Sequence, residues 1–416
     1  MADPNRSVLY ITYDGLTDPL GRSQVLPYLT GLAARGWKIT ILSCEKPARL
    51  EKDGAAVQLL CARAGLDWQP LTYHKWPPVL SSAYDGERLK RSAMRLHRQR
   101  HFALVHCRSY IPAAAGLALK QRRGVPLLFD MRGFWPDEKV EGNSWNLDKS
   151  LFRMVYRHFK TLEARLLTEA DHIISLTHEG KSQLLTRPQL AGADDRITVI
   201  PCCVDFDHFP MIDQATRKSA RSTLSISAEA RVLAYLGSIG AWYLLDEMLD
   251  FFRVYAGRHP RARFLFVTHD DPALIRAAAS RRRVDPGMLV IVPGSREQVP
   301  RLMAAADLGI FFIAPVFSKT ASSPTKMGEM LALGLPLVAN AGVGDVARII
   351  AETRCGVAVE RFDDAAYEQA IDQAEALETG REERRRAALP WFDVELGIER
   401  YDRVYRDLAG QAKARK

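Results

Sequence analysis

Cysteine is scarce in this 416-residue chain, and what there is lies scattered. The six cysteines (Cys44, Cys61, Cys107, Cys202, Cys203 and Cys355) show no metal-ligand spacing. The neighbours Cys202 and Cys203 are poorly placed to pair with each other, so reduced thiols in a cytoplasmic protein are expected. A hydrophobic run long enough to span a bilayer is also missing. The longest uncharged stretch, residues 330–344, is broken by Gly334, Pro336 and Asn340; it falls short of the ~20 apolar residues a spanning helix needs. Residues 1–7 are polar, and no apolar signal core is expected there. No G-x-G-x-x-G follows the first strand-like segment, which disfavours a nicotinamide enzyme. No nucleic-acid-binding module accompanies the positive charge, and no internal repeat or low-complexity tract is visible.

What the chain does have is an ordinary globular composition, 47% apolar and 26% charged, with 58 Lys and Arg against 49 Asp and Glu. The excess of +9 suits anionic partners without choosing among them. The length exceeds one ordinary core and implies two or three domains of roughly 150 residues. Apolar, β-branched runs read as strands at 7–13, 38–44, 104–108, 126–131, 172–177 and 197–203. A second series falls at 231–236, 263–269, 288–293, 308–314 and 335–340. Most lack polar alternation, as strands buried on both faces of a parallel sheet do.

Between the strands lie helical stripes. Leu151, Val155, Phe159, Leu162 and Leu166 form one; Leu245, Met248, Leu249, Phe252 and Tyr255 form another; Val394, Ile398, Tyr401, Tyr405 and Leu408 close the chain. This alternation predicts an α/β protein of two Rossmann-like doubly wound domains facing a cleft. The boundaries expected are 1–205, completed by a closing helix 392–416, and 206–391.

Chemistry concentrates in the second half. In SSPTKMGEMLALGLPLVAN, Ser323 reads as an N-cap, Pro324 as the first helical position and Gly334 as the left-handed C-terminal residue. The result is a helix of about three turns whose start offers free N–H groups to an anion. Thr325 opens it, and Lys326 and Glu329, three apart, share a face. An ammonium there suits a diphosphate and a carboxylate one turn on suits ribose hydroxyls; an ordinary surface salt bridge is the plain alternative. A glycine loop follows the strand at 231–236, where Gly237 and Gly240 allow close backbone approach to phosphate and Ser238 adds a hydroxyl. Ser295 with Gln298 reads as a capping box, and Arg296 beside it suits stacking on a nucleobase, a solvated arginine being the plainer alternative. In the first half, Gly15, Gly21, Arg22, Ser23 and Gln24 form a matching loop that reads as a phosphate or acceptor loop or as a structural turn.

Assembled, these residues resemble the retaining glycosyltransferases of family 4, whose architecture is called GT-B. The resemblance rests on the first glycine loop with the segment Leu29 to Gly36, on the linker Val199 to Asp205, and above all on Glu329 to Ala339. It implies a first domain for acceptor, a second for a nucleotide sugar, and a closing helix that crosses back to the first. It also implies catalysis by diphosphate stabilisation, with no metal and no cofactor beyond a nucleotide-sugar co-substrate, UDP being favoured by family frequency. Three positions depart from the family pattern. Ala321 stands where the first of two glutamates is usual, Arg132 where a histidine lies near the anomeric centre, and Ser238 where an arginine is usual. Arg132, Lys326 and Glu329 are therefore the catalytic candidates. An inactive nucleotide-sugar-binding homologue and an epimerase of the same fold are the competing readings. Asp205 and Asp207 read as capping groups rather than metal ligands.

Residues 87–102 carry six Lys and Arg (Arg88, Lys90, Arg91, Arg95, Arg98 and Arg100) against one acid. With Leu89, Met94, Leu96 and Phe102 between them, and Trp76, Pro77, Pro78 and Tyr84 just before, they suit a basic helix on an anionic leaflet. The expectation is a peripheral enzyme on the inner face of the plasma membrane, extending a lipid-linked saccharide. A solvated basic face is the alternative.

Overall fold

A computed structural model describes residues 6–414; residues 1–5, and 415–416 of the closing segment, lie outside it. The chain forms two compact units. Unit 1 runs to Pro201 and resumes at Val394, and unit 2 is Cys202–Asp393.

Seven parallel strands build unit 1: β1 (Ser7–Thr12), β2 (Lys38–Glu45), β3 (Asp67–Thr72), β4 (Leu104–Arg108), β5 (Leu127–Asp130), β6 (His172–Ser175) and β7 (Ile197–Val199), in the order β3-β2-β1-β4-β5-β6-β7. Unit 2 has six: β8 (Val232–Leu236), β9 (Arg263–Val267), β10 (Leu289–Val292), β11 (Leu308–Phe311), β12 (Leu337–Asn340) and β13 (Gly356–Val359), in the order β10-β9-β8-β11-β12-β13. Both are doubly wound sheets, with a switch point between β1 and β4 in one and between β8 and β11 in the other. Ligands bind outside the carboxyl ends of strands at such points.

The expected strands are present with trimmed ends, but β3 and β13 were not expected. Both are edge strands. β3 carries Pro70 and buries only Trp68, so it lacks the continuous apolar run of a central strand. β13 is four residues long and starts at Gly356, where a Cβ would stand 2.1 Å from the Leu337 carbonyl oxygen.

The first expected boundary moves from 205 to 201, because Cys202 to Val204 bond into unit 2. The Cys202 N–H donates to Ser323 Oγ (3.1 Å) and the Val204 N–H to the Phe392 carbonyl (2.7 Å). Phe392 also stays with unit 2, packing where a side chain on Gly328 would be. The closing helix Val394–Ala414 belongs to unit 1 and buries Ile398, Tyr401, Tyr405 and Leu408. Trp37 Nε1 donates to Asp402 Oδ1 across 2.7 Å, and His106 Nδ1 meets Tyr405 Oη at 2.7 Å.

The helix Ser150–Glu169 buries Val155, Leu162 and Leu166 but leaves Leu151 47% exposed, so its stripe is covered only toward the C-terminal end. All six cysteines are free and buried. Among the described residues, no helix is long and apolar enough to cross a membrane.

Candidate active site

The switch point of unit 2 is built by two chain segments that lie against each other. After β8 the chain runs through Gly237 to Tyr243; after β11 it runs through Ile313 to Pro324. The Leu244 N–H donates to the Phe312 carbonyl (3.0 Å) and the Ala314 N–H to the Trp242 carbonyl (3.0 Å). The helix Thr325–Ala332 then opens beside the glycine loop. It has eight residues rather than the three turns expected, and Pro324, not Ser323, is its N-cap. Ser323 is withdrawn from capping because its hydroxyl accepts the Cys202 amide. Gly334 does adopt the left-handed conformation that ends the helix (φ +68°). The N–H groups of Thr325 and Lys326 have no carbonyl partner among the described residues, leaving them oriented for an anion.

Lys326 is only 6% exposed. Its ammonium sits 3.5 Å from the ring centroid of Tyr243 and 3.9 Å from that of Tyr235, and it donates to Tyr235 Oη at 2.6 Å. Tyr235 Oη in turn donates to the Ser238 carbonyl (2.6 Å), tying the lysine to the glycine loop. Gly237 has φ +99°, and a Cβ there would stand 3.5 Å from Nζ. Glycine is required by the backbone, while a Cβ would meet the ammonium only at ordinary contact distance.

No carboxylate lies within salt-bridge distance of Lys326 among the described residues, so the expected alternative of an i, i+3 ion pair with Glu329 does not form. Burial drives the Lys326 pKa well below the usual lysine value, with Glu329 and Asp270 opposing that shift. Burial also raises the Glu329 pKa above the usual carboxylate value, against the charges of Arg296 and Lys326. A buried cation faced by ring quadrupoles retains most of its attraction for an incoming anion.

The glycine loop brings a residue the sequence did not single out. Asp270, just beyond β9, accepts the Ile239 N–H (2.5 Å), the Ser238 hydroxyl (3.2 Å) and the Thr268 hydroxyl (3.1 Å). Ser238 and the loop amide next to it are therefore engaged by a half-buried carboxylate. A second buried lysine, Lys319, lies on the turn Phe317–Ala321 with Nζ 3.9 Å from the Trp242 ring centroid. It sits in irregular chain, where no periodicity marks it. Ala321 ends the same turn and is buried.

The charge of Arg296 opposes the rise of the Glu329 pKa, and the Arg296 carbonyl accepts from His208 Nε2 (3.0 Å). The capping box at Ser295 forms by half: Gln298 Oε1 accepts the Ser295 N–H (2.9 Å), while the helix itself, Val299–Met303, starts later. Asp205 caps the amides of Asp207 and His208. No group of three or more His, Cys, Asp or Glu among the described residues is placed to hold a metal.

In unit 1 the first glycine loop wraps around a carboxylate of the protein itself. Glu45, fully buried at the end of β2, accepts the Leu16 N–H (2.7 Å), the Thr17 N–H (3.1 Å) and the Thr17 hydroxyl (2.7 Å). Gly15 and Gly21 serve close packing: a Cβ on Gly15 would stand 2.6 Å from Glu45 Oε2, and one on Gly21 2.2 Å from the Gly15 carbonyl oxygen. Arg22 is 3.9 Å from Asp53, Ser23 is half-buried, and Gln24 points into a small internal cavity with Tyr10, Tyr28, His106, Asp130 and Tyr401.

Arg132 follows β5 with φ +58° and has its guanidinium 3.7 Å from Asp130. Arg108, at the end of β4, bonds Asp14 (3.1 Å) and lies 3.8 Å from Asp130. Burial alone would raise the Asp130 pKa, but Arg132, His106 and Arg108 together hold it at about 2.

The basic segment lies on the helix Leu80–Arg100, and most of its charges are already engaged. Arg88 donates to the Thr72 carbonyl, Lys90 and Arg91 pair with Glu87, and Arg100 pairs with Asp67. Leu89, Leu96 and Phe102 are in the core of unit 1 and face no lipid, contrary to expectation. Exposed nearby are Trp76 (75%), Leu80 (68%) and Tyr84 (57%).

Two parallel doubly wound sheets, one in each unit, place the chain in the GT-B class. The fold is shared with sucrose-phosphate synthase from Thermosynechococcus elongatus (TM-score 0.73, 16% identity, 98% of this chain and 100% of that one). Anabaena HepE, solved with UDP-glucose, also shares it (TM-score 0.69, 14% identity, 96% and 99%). Within that class the chain belongs to the family 4 glycosyltransferases: the Glycosyltransferase Family 4 profile matches residues 25–208 and the Glycosyl transferases group 1 profile matches 230–376. Among curated relatives, the D-inositol 3-phosphate glycosyltransferase of Mycobacteroides abscessus is 26% identical over 80% of this chain and 72% of its own length. The glycosyltransferase 2 of the same description from Catenulispora acidiphila is 25% identical over 66% of this chain and 63% of its own length.

Proposed function

We propose that the protein transfers a sugar, with retention at the anomeric carbon, from a UDP-sugar to a hydroxyl of a saccharide or lipid-linked acceptor in glycan synthesis. The observation that carries this reading is the buried Lys326 ammonium, set against Gly237 at the start of a helix whose first amides are free. In front-face transfer, negative charge grows on the leaving diphosphate while the sugar becomes cationic, and a fixed cation with oriented amides lowers that barrier. Lys326 and the Thr325 and Lys326 amides fill that role, Glu329 takes the ribose hydroxyls, Arg296 takes the base, and Arg132, in unit 1, is assigned to the acceptor. UDP is chosen because HepE, a neighbour in fold, was solved with UDP-glucose. A metal is not needed for this charge stabilisation, so EDTA should leave transfer unchanged.

The test is a thermal-shift screen against UDP, GDP, ADP and CDP, then against sugars of the winning nucleotide, with Lys326→Ala in parallel. Nucleotide-dependent stabilisation in the wild type and its loss in the variant are expected; equal stabilisation in both would remove the phosphate assignment. Tight binding without turnover, given Ala321 and Arg132, would mark the inactive homologue, and acceptor-independent isomerisation of the sugar would mark the epimerase. Attachment to an anionic leaflet from the cytoplasmic side is a second reading, favoured by exposed Trp76 just before and Leu80 at the start of the helix that carries Arg95 and Arg98 further along. It predicts co-sedimentation with phosphatidylserine vesicles and none with phosphatidylcholine.

A further inference from the structure

The carboxyl edge of unit 1 carries an imidazole–carboxylate dyad that no part of the donor chemistry uses. His74 lies two residues beyond β3. Asp85, on the helix Leu80–Arg100, is fully buried. Its carboxylate meets His74 Nδ1 at 2.6 Å and accepts the His74 backbone N–H at 2.9 Å and the Tyr13 hydroxyl, just beyond β1, at 3.2 Å. Arg88 Nη1 is 3.7 Å away. A carboxylate so placed accepts from the imidazole, which puts the proton of the neutral ring on Nδ1 and leaves a lone pair on Nε2. Tyr84 packs edge-on against the ring (5.2 Å, 78°) and sets its plane.

The His74 side chain is nevertheless 38% exposed, and among the described residues nothing bonds Nε2. An ordinary surface histidine keeps its rotamer and tautomer free, because ordering a side chain costs entropy that solvent does not return. Here both are set, and in the neutral ring what is presented outward is a single hydrogen-bond acceptor.

The position adds to this. Tyr13 links the dyad to Asp14, Asp14 bonds Arg108, and Arg108 and Arg132 both face Asp130. The dyad therefore stands at the same sheet edge as the switch point between β1 and β4. Three residues other than glycine on the loops of this edge have left-handed φ: Val79 (+69°), Ser109 (+68°) and Arg132 (+58°). A β-branched residue such as Val79 is held there only when its surroundings demand it.

The charges along this edge are matched: Arg108 by Asp14 and Asp130, Arg132 by Asp130, Arg88 by Asp85. A neutral ligand bearing a donor O–H fits this surface better than a phosphate does. We infer that His74, oriented by Asp85, binds a hydroxyl of the acceptor, a saccharide or polyol, at the carboxyl edge of unit 1. The inference rests on the transferase reading for the word acceptor. His74 is the hydroxyl-binding group, and Asp85 is a positioning residue that acts through it.

The experiment uses the whole protein labelled with ¹⁵N-histidine, with His74→Gln to identify the His74 signals. Methyl α-D-glucopyranoside and myo-inositol serve as probes, and inorganic phosphate as the contrast. Expected are an Nδ1-protonated His74 in the free protein, a saccharide-induced shift of its Nε2 resonance, and none from phosphate. Asp85→Asn should release the tautomer and weaken probe binding about tenfold, the scale of one well-oriented hydrogen bond, while His74→Gln keeps the wild-type melting temperature. An Nε2 resonance unmoved by both probes, a shift produced by phosphate alone, or equal probe affinity in Asp85→Asn would each overturn the inference. The readout needs no nucleotide, so it stands or falls separately from the Lys326 test. With a working transfer assay, His74→Gln should raise the acceptor KM and leave the donor KM unchanged.

Discussion

Each unit places a glycine loop after the strand of its sheet that comes first in the chain, and each loop is capped by a carboxylate at or just beyond the end of the next strand. In unit 1 the cap is Glu45, with no exposure to solvent; in unit 2 it is Asp270, which is half-buried. The edges around the loops differ in the same sense. Arg108 and Arg132 of unit 1 face Asp14 and Asp130, whereas Lys326 of unit 2 faces the rings of Tyr235 and Tyr243. One plan of backbone thus yields two electrostatic states. Where charges are matched and sealed, they act as struts. Where a cation is buried against rings with a carboxylate at the solvent boundary, positive potential is left over for a dianion.

The largest expected effect tests the strut side. Asp130→Asn leaves Arg108 and Arg132 facing a neutral amide and should cost about 3–5 kcal/mol in denaturant unfolding, with UDP affinity unchanged. The folded pKa of about 2 lies below the ordinary 3.8. Its contribution is therefore present above pH 3.8 and is lost as pH falls toward 2, and the variant should show no such slope there. A matching fall in UDP affinity would break the comparison.

On the ligand side, Lys326→Met should weaken UDP binding by about 10–100-fold, one charge-assisted bond, and leave the melting temperature unchanged or higher, since it removes a buried cation. The lowered pKa sets the sign of the pH dependence. A bound diphosphate favours the ammonium, so binding takes up a proton, and affinity falls as pH rises through the free-state pKa of Lys326. Calorimetry in buffers of different ionisation enthalpy reads that proton, and it should vanish in the variant. Glu329→Ala should cost about 1–3 kcal/mol of nucleoside affinity, with inorganic diphosphate binding less affected.

The smallest effect sharpens the contrast between the two caps. Asp270→Asn keeps an acceptor oxygen for the Ile239 N–H and reverses the bond to the Ser238 hydroxyl, which then accepts from the amide. It removes a negative charge near Lys326 and should tighten UDP binding by about threefold, the scale of a half-exposed charge. Weaker binding would make Asp270 a strut like Glu45.

Much of the fold was legible because buried parallel strands read as unbroken apolar runs: β1, β4, β8 and β12 needed no partner to be seen. β3 and β13 were not legible, since an edge strand is half solvated and its sequence carries a proline or a glycine without contradiction. At the candidate site, Lys326, Glu329 and Gly237 stand out through helix spacing and turn chemistry. Lys319, Asp270, Tyr235 and Tyr243 do not, because their relation to the site comes from β8 itself and from irregular chain after β8, β9 and β11, far apart in sequence. The basic helix shows the converse error. Its run of cations is plain in the sequence, yet Thr72, Glu87 and Asp67 take up four of them, and these partners are found only in space.

Local order along the chain was enough to determined two doubly wound sheets, a closing helix stripe and a lysine three residues ahead of a glutamate, since periodicity and turn preference act over a few residues. Which charges are neutralised was decided by the tertiary structure alone. Electrostatic energy depends on distance and burial, and neither follows from position in the chain when Glu45 meets Thr17, Asp270 meets Ile239 and Asp85 meets His74.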